Sequence, residues 1–342
     1  MSDFFCRISF YLVYLKKIIA SMFKHRIFLL IIIIFSSISV TSQQLTIIRY
    51  MPHWLPQAQF SGYYIAKELG IYEKYGLDVE ILTGGPGYPA ATELENGNCD
   101  IASMFLSGAI QVSENRVKLV DICQLSKRSA LIFIAKKKTG ISKPEDFNGK
   151  KIGIWRSDFQ ELPMAFLKKY NIDATIVPIT GTVNAFYYDV IDIMCVMWYN
   201  EYHTVLNYGI DPDELNVFFL FDHDLNFPED GIFCKEDYYK KNTKVCESFA
   251  KATLEGWNYA FEHKGETIDL VMTYMKNANV PTNKTHQRWM FERMKDVFDY
   301  KYKELNGKLS KELYLKTAKV LLETGKIKSI PDFEKFDKTK KE

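Results

Sequence analysis

Strand-like and helix-like segments alternate almost without interruption from residue 45 to residue 221, and few architectures accommodate that order. Residues 45–50 form an apolar run, residues 58–69 read as a helix stopped by Gly70, and Leu77, Val79 and Ile81 then alternate with Asp78 and Glu80 as a half-buried strand. The pattern repeats with a helix over 89–95 ended by Gly97, a strand over 100–104, a helix over 108–115 and strands over 118–125 and 131–135. A polar bridge over 136–150 contains Gly140, Pro144 and Gly149, with Lys136, Lys137 and Lys138 expected in a solvated loop. Strands over 151–155, 175–178, 191–197 and 216–221 follow, separated by helices over 159–170, 183–188 and 201–208. Beyond Gly231 the periodicity is helical throughout, over 238–263, 266–276, 285–300 and 311–323. Such alternation predicts an α/β protein with mostly parallel sheets covered on both faces.

The polar bridge divides the strands into two sets, so two α/β lobes are expected. Residues 45–135 form the first, residues 136–228 are inserted as the second, residues 229–330 return to the first with C-terminal helices, and 331–342 are a charged tail. The chain would cross between lobes near 135–138 and 226–231. Ligands of open α/β sheets lie beyond the carboxyl ends of the strands, which makes the cleft between the lobes the expected site.

The N-terminus differs in kind. Lys24, His25 and Arg26 precede an apolar run over 27–35 and a small, polar stretch over 36–42, the three-region order of a signal peptide. The run falls short of the roughly 20 apolar residues a membrane-spanning helix needs. Cleavage before Gln43 and export to the periplasm are expected, with residues 1–21 an over-called start ahead of Met22. No cysteine lies near the cleavage point, which argues against a lipoprotein anchor. Removal of residues 1–42 takes away five of 44 basic and one of 42 acidic residues, moving the net charge from +2 to about −2. That balance gives no reason to bind nucleic acid. Five cysteines remain, Cys99, Cys123, Cys195, Cys234 and Cys246, with no CxxC pair; a bond between Cys234 and Cys246 stays open.

Candidate chemistry is sparse. The turn Gly84-Gly85-Pro86-Gly87 follows a strand and precedes a helix, where backbone N–H groups can meet an anion. It lacks the lysine and hydroxyl of a phosphate loop, and a plain tight turn explains it equally. His53 and Asp222-His223-Asp224 lack zinc-ligand spacing, and no GxSxG elbow is present. No metal, cofactor or catalytic residue is therefore expected.

Aromatic residues carry more information: Trp54, Phe60, Tyr63, Tyr64, Phe105, Trp155, Trp198, Tyr199 and Tyr202 fall at predicted strand ends or the helix starts after them, with Trp54, Trp155 and Trp198 the stronger candidates. Such faces suit a flat ligand, each offset stack contributing about 0.5–1.5 kcal/mol beyond burial. Asp158, Asn200, Glu201 and Asp230 stand nearby as hydrogen-bonding partners for an amino-heterocycle edge. Asn200 and Asp158 fit helix N-caps as well.

The run from Gln59 through Gly70, Gln-Phe-Ser-Gly-Tyr-Tyr-Ile-Ala-Lys-Glu-Leu-Gly, together with Gly97 to Ile101, Pro144 to Lys151, Trp198-Tyr199-Asn200-Glu201 and Gly256 to Ala260, resembles the thiamine-pyrimidine synthase-like solute-binding proteins of ABC importers. The resemblance covers roughly residues 45 to 300. It implies a periplasmic-binding-protein fold of the second type, a small aromatic heterocycle such as a thiamine pyrimidine precursor or riboflavin as ligand, and an inner-membrane ABC permease as partner; a monomer is expected. The same clamp in a sensory receptor is the alternative. The family's enzyme branch requires a lysine and a histidine where this chain has Met104 and Gly108, and a cysteine-rich motif where it has Gly231-Ile232-Phe233-Cys234-Lys235. Neither a thioether nor a glycine supplies the missing chemistry, so no enzymatic activity is expected.

Overall fold

The structure is a computed structural model that describes residues 44–155, 159–300 and 305–339 of the 342. The expected signal segment and Asp158 lie outside the described residues. Among those described, no helix is long and apolar enough to cross a membrane.

Among the described residues, ten strands form two five-stranded sheets. The strands are β1 (Thr46–Met51), β2 (Leu77–Ile81), β3 (Ile101–Met104), β4 (Leu119–Gln124), β5 (Leu131–Lys136), β6 (Lys151–Trp155), β7 (Thr175–Ile179), β8 (Ile193–Met197), β9 (Leu215–Phe219) and β10 (Gly231–Lys235). The first sheet has the order β2-β1-β3-β10-β4 and the second β7-β6-β8-β5-β9. Each is the floor of one lobe. The alternation read at Leu77 to Ile81 appears as alternating buried and exposed side chains along β2.

Both sheets are mixed, not mostly parallel. β1 runs parallel to β2 and β3, and β6 parallel to β7 and β8, as strand–helix–strand units require. β10 is antiparallel to β3 and β4, and β5 is antiparallel to β8 and β9. Direction follows from where each strand starts. β5 and β10 begin at the crossings between lobes, at the end where β3 and β8 finish, and so must run the other way.

Two boundaries read from the sequence shift accordingly. Residues 131–135 belong to the second sheet, which puts the first crossing at residues 125–130, not near 135–138. Residues 231–235 form a strand that completes the first sheet, although the segment had been grouped with helices. Lys136 is buried rather than solvated, and its ammonium meets Asp189 at 2.6 Å.

The crossings are sewn together. The buried Glu229 carboxyl accepts Ser129 Oγ–H at 2.6 Å and the Ala130 amide at 3.1 Å, while Asn226 Oδ1 accepts the Ser129 amide at 2.7 Å. Burial raises the Glu229 carboxyl to about 8, against these hydrogen bonds, which pull it down.

The C-terminal helices return to the first lobe. Helix Thr243–Glu262 packs on helix Ser61–Glu68 at backbone contact: a Cβ on Gly256 would sit 2.3 Å from the Gly62 carbonyl oxygen. Tyr314, Leu321, Phe333 and Phe336 close a second core with Leu94, Leu106 and Ile110.

Helix Lys284–Val297 touches both lobes. On the first, Gln287 Oε1 accepts the Ala58 amide at 2.8 Å and Phe291 packs beside Phe261. On the second, His286 Nε2 lies 2.9 Å from Asn200 Oδ1, Trp289 stacks on His203 at 4.8 Å, and Trp289 Nε1–H donates to the Trp198 carbonyl at 3.3 Å.

All five described cysteines are buried and free; the Cys234 and Cys246 sulfurs lie 3.8 Å apart, unbonded.

Candidate functional site

The carboxyl ends of β1, β3, β6, β7 and β8 converge on a cleft with two adjoining cavities that share His53, Trp54, Trp155 and Phe159. The smaller, with room of about 20 Å³, is polar on one side: Gln57, Gln59, Met197, Tyr199, Asn200 and Glu201 line it. The larger holds about 420 Å³ and is lined mainly by Leu55, Pro86, Ala90, Ala91, Met104, Phe105 and Ile179. Trp54 borders both, edge-on to Trp155 at 6.3 Å and to Phe159 at 5.6 Å.

His53 is held by its neighbours. Gln59 Nε2–H donates to Asp230 Oδ1 at 2.9 Å and faces His53 Nε2 at 3.1 Å, so Nε2 is the acceptor and the ring proton sits on Nδ1, 2.9 Å from Ser103 Oγ. Gln57 Nε2–H completes the chain onto Gln59 Oε1 at 2.6 Å. Burial lowers the imidazole to about 3, which keeps it neutral. Asp230 has a left-handed backbone at φ 50° and a second carboxyl oxygen that is buried without a hydrogen-bond partner. Burial raises this carboxyl to about 7, with the Gln59 bond opposing.

On the facing lobe, Glu201 begins the helix Glu201–Asn207 directly after β8. Its Oε2 accepts the Met197 amide at 2.9 Å and its Oε1 accepts Asn200 Nδ2–H at 2.8 Å. Burial raises it to about 7 in spite of both bonds. Asn200 makes no side-chain cap of this helix; it links Glu201 to His286. His286 Nδ1 lies 2.9 Å from His203 Nδ1. Among the described residues that line either cavity there is no lysine or arginine.

Of the residues expected from the sequence, Trp54, Gly85, Phe105, Trp155, Asn200 and Glu201 line the cleft. Gly85 does so through its turn. Gly84 beside it packs on backbone, a Cβ there lying 1.9 Å from the Pro52 carbonyl oxygen, which accounts for the glycines without an anion. Phe60 and Tyr63 do not reach the cleft. Both are fully buried, Phe60 behind His53 at 5.3 Å and Tyr63 stacked on Tyr50 at 4.4 Å. Asp230 lies beneath Gln59, not at the cleft surface.

Trp198 points the other way, packed between Phe219 at 5.3 Å and the guanidinium of Arg293 at 5.0 Å. Successive residues at a strand end alternate faces, and the lining position falls to Tyr199. The sequence reading ranks Trp198 above Tyr199, misses Gln57, Gln59, Phe159 and Met197, and weighs His53 only as a metal ligand, which its spacing argues against. Among the described residues no cluster of three or more histidine, cysteine, aspartate or glutamate side chains is placed to hold a metal.

The NMT1/THI5-like family model matches residues 57–267. No curated protein matches by sequence. Among solved structures, the periplasmic aliphatic sulphonate binding protein SsuA from Escherichia coli is similar with a TM-score of 0.65 at 15% identity, over 85% of this chain and 91% of that one. A Candida albicans gene product with the generic periplasmic binding protein fold is similar with a TM-score of 0.60 at 15% identity, over 86% and 97%. The desulfurization enzyme DszB is similar with a TM-score of 0.59 at 12% identity, over 86% and 96%. At these identities the likeness is one of fold, and the family match covers more than half the chain: the protein belongs to the NMT1/THI5-like family and has the periplasmic-binding-protein fold.

Proposed function

We propose that the protein is the periplasmic solute-binding component of an ABC importer, and that its cargo is an uncharged or cationic aromatic nitrogen heterocycle of the thiamine-pyrimidine kind. One observation carries the reading. The polar side of the cleft offers two glutamine amides and the Glu201 carboxyl, beside an uncharged His53 whose ring nitrogens are held internally, between the aromatic faces of Trp54, Trp155 and Tyr199, with no lysine or arginine among the described lining residues. Such a site accepts hydrogen bonds from an amino group and stacks a ring. A sulfonate, the cargo of the Escherichia coli relative, would be buried beside a carboxyl with no lysine or arginine among the described lining residues to offset its desolvation, at a cost of several kcal/mol. The five described cysteines lie buried away from both cavities, which favours binding over thiol catalysis. A permease in the inner membrane would receive the closed form.

Tryptophan fluorescence tests the reading directly, since Trp54 and Trp155 line the cleft. Titration with hydroxymethylpyrimidine, formylaminopyrimidine, thiamine and riboflavin, beside an alkanesulfonate, is expected to give saturation in the micromolar range for at least one heterocycle and none for the sulfonate. A response to the sulfonate alone, or to nothing, would overturn the assignment.

A further inference from the structure

The two cavities differ in size and lining in a way that a single pyrimidine ring does not explain. The polar compartment beside Gln57, Gln59 and Glu201 has room of about 20 Å³, enough for little beyond one water or the edge of a ring. Beyond Trp54 the cleft opens to about 420 Å³. An apolar void of about 150 Å³ already holds a benzene, so one ring would leave most of the larger compartment to water against apolar walls. Those walls come from separate elements: Leu55 after β1, Pro86 and Ala91 around the glycine turn, Met104 and Phe105 at the end of β3, and Ile179 at the end of β7. Both lobes therefore contribute to the chamber, and a ligand that fills it would be gripped from each side.

We infer that the ligand is bipartite: a hydrogen-bonding heterocyclic head that presents its polar edge to Gln57, Gln59 and Glu201, and an uncharged apolar extension that crosses Trp54 into the chamber walled by Leu55, Met104, Phe105 and Ile179. This rests on the heterocycle reading above and specifies which members of that class are carried. Among the described lining residues His53, Thr180 and the turn at Gly85 are the chamber's polar points, so a flexible, hydroxyl-rich chain is a poorer occupant than an alkyl or aryl group.

The test uses the full chain, 4-aminopyrimidine as parent, and two series bearing methyl, ethyl, butyl or phenyl groups at C2 or at C5. Each buried methylene is expected to tighten binding by about fourfold in one series, up to butyl. In Ala91→Phe, which fills the chamber from a half-buried position, the butyl-to-methyl affinity ratio should fall toward one. Failure of every aminopyrimidine to bind would strike the heterocycle reading itself. Binding of the parent with flat or declining affinity in both series, or an unchanged ratio in Ala91→Phe, would overturn the bipartite ligand alone.

Discussion

Glu201 carries more of the site than any other single side chain. Both its oxygens already hold internal donors, the Met197 amide and the Asn200 amide group, and each keeps a second lone pair for a ligand. Glu201→Gln places an N–H₂ opposite one of those donors. A fall of about tenfold in heterocycle affinity is expected, with a loss of about 1–2 kcal/mol in stability. Because burial holds the wild-type carboxyl near 7, ligand affinity should rise with pH through that value as the carboxylate forms. Isothermal titration from pH 6 to 8 should show this slope in the wild type and none in the variant; an equal slope in both would assign the titration elsewhere. The neighbouring tryptophan shows where sequence reading stops. Trp198 and Tyr199 are equally aromatic, and only the register of β8 decides which faces the cleft, a one-residue matter that composition cannot resolve. Trp54 and Trp155 were legible because each stands at or just past the end of a strand that could be located. Gln59 was on view in the family signature, but an amide carries no aromatic or charge signal to mark it as a lining residue.

Among the elements, the crossings deserve a test of their own. Their hydrogen bonds converge on Glu229, whose carboxyl is raised from 4.5 to about 8 by burial. A folded-state value above the unfolded one means the native protein binds the extra proton, so this group's contribution is fully present below about pH 4.5 and is lost as pH rises through about 8. Thermal melts should therefore decline with pH between 6 and 8, at up to about 1.4 kcal/mol per unit from this group. Glu229→Gln, which keeps an acceptor for the Ala130 amide, should flatten that decline, whereas an unchanged profile would show that other groups dominate it. The parallel strands were legible because each alternates with a helix. β5 reads as a strand but shows neither its direction nor its sheet, and β10 does not read as a strand at all, since a strand entering from the other lobe has no crossover helix to announce it. A buried run such as Ile132 to Ala135 is apolar on both faces in either lobe.

For the molecule as a whole, helix Lys284–Val297 is a third link between lobes already joined by two crossings. Its contacts with the second lobe include the His286 hydrogen bonds to Asn200 and His203, an imidazole stack, an indole hydrogen bond and the Arg293 guanidinium over Trp198, each worth about 0.5–1.5 kcal/mol. Trp289→Ala removes two of them and should raise the ligand dissociation rate by about tenfold in stopped-flow fluorescence, with a smaller effect on association; an unaltered rate would show that the lobes part without disturbing the helix. If the protein is the importer component proposed above, the helix makes cargo retention a matter of timing as well as of fit. A receptor that lets go whenever its hinge fluctuates must be met by a permease at once, but one whose opening waits on the parting of a separate latch has a dwell time of its own, long enough to search for its transporter with the cargo still enclosed.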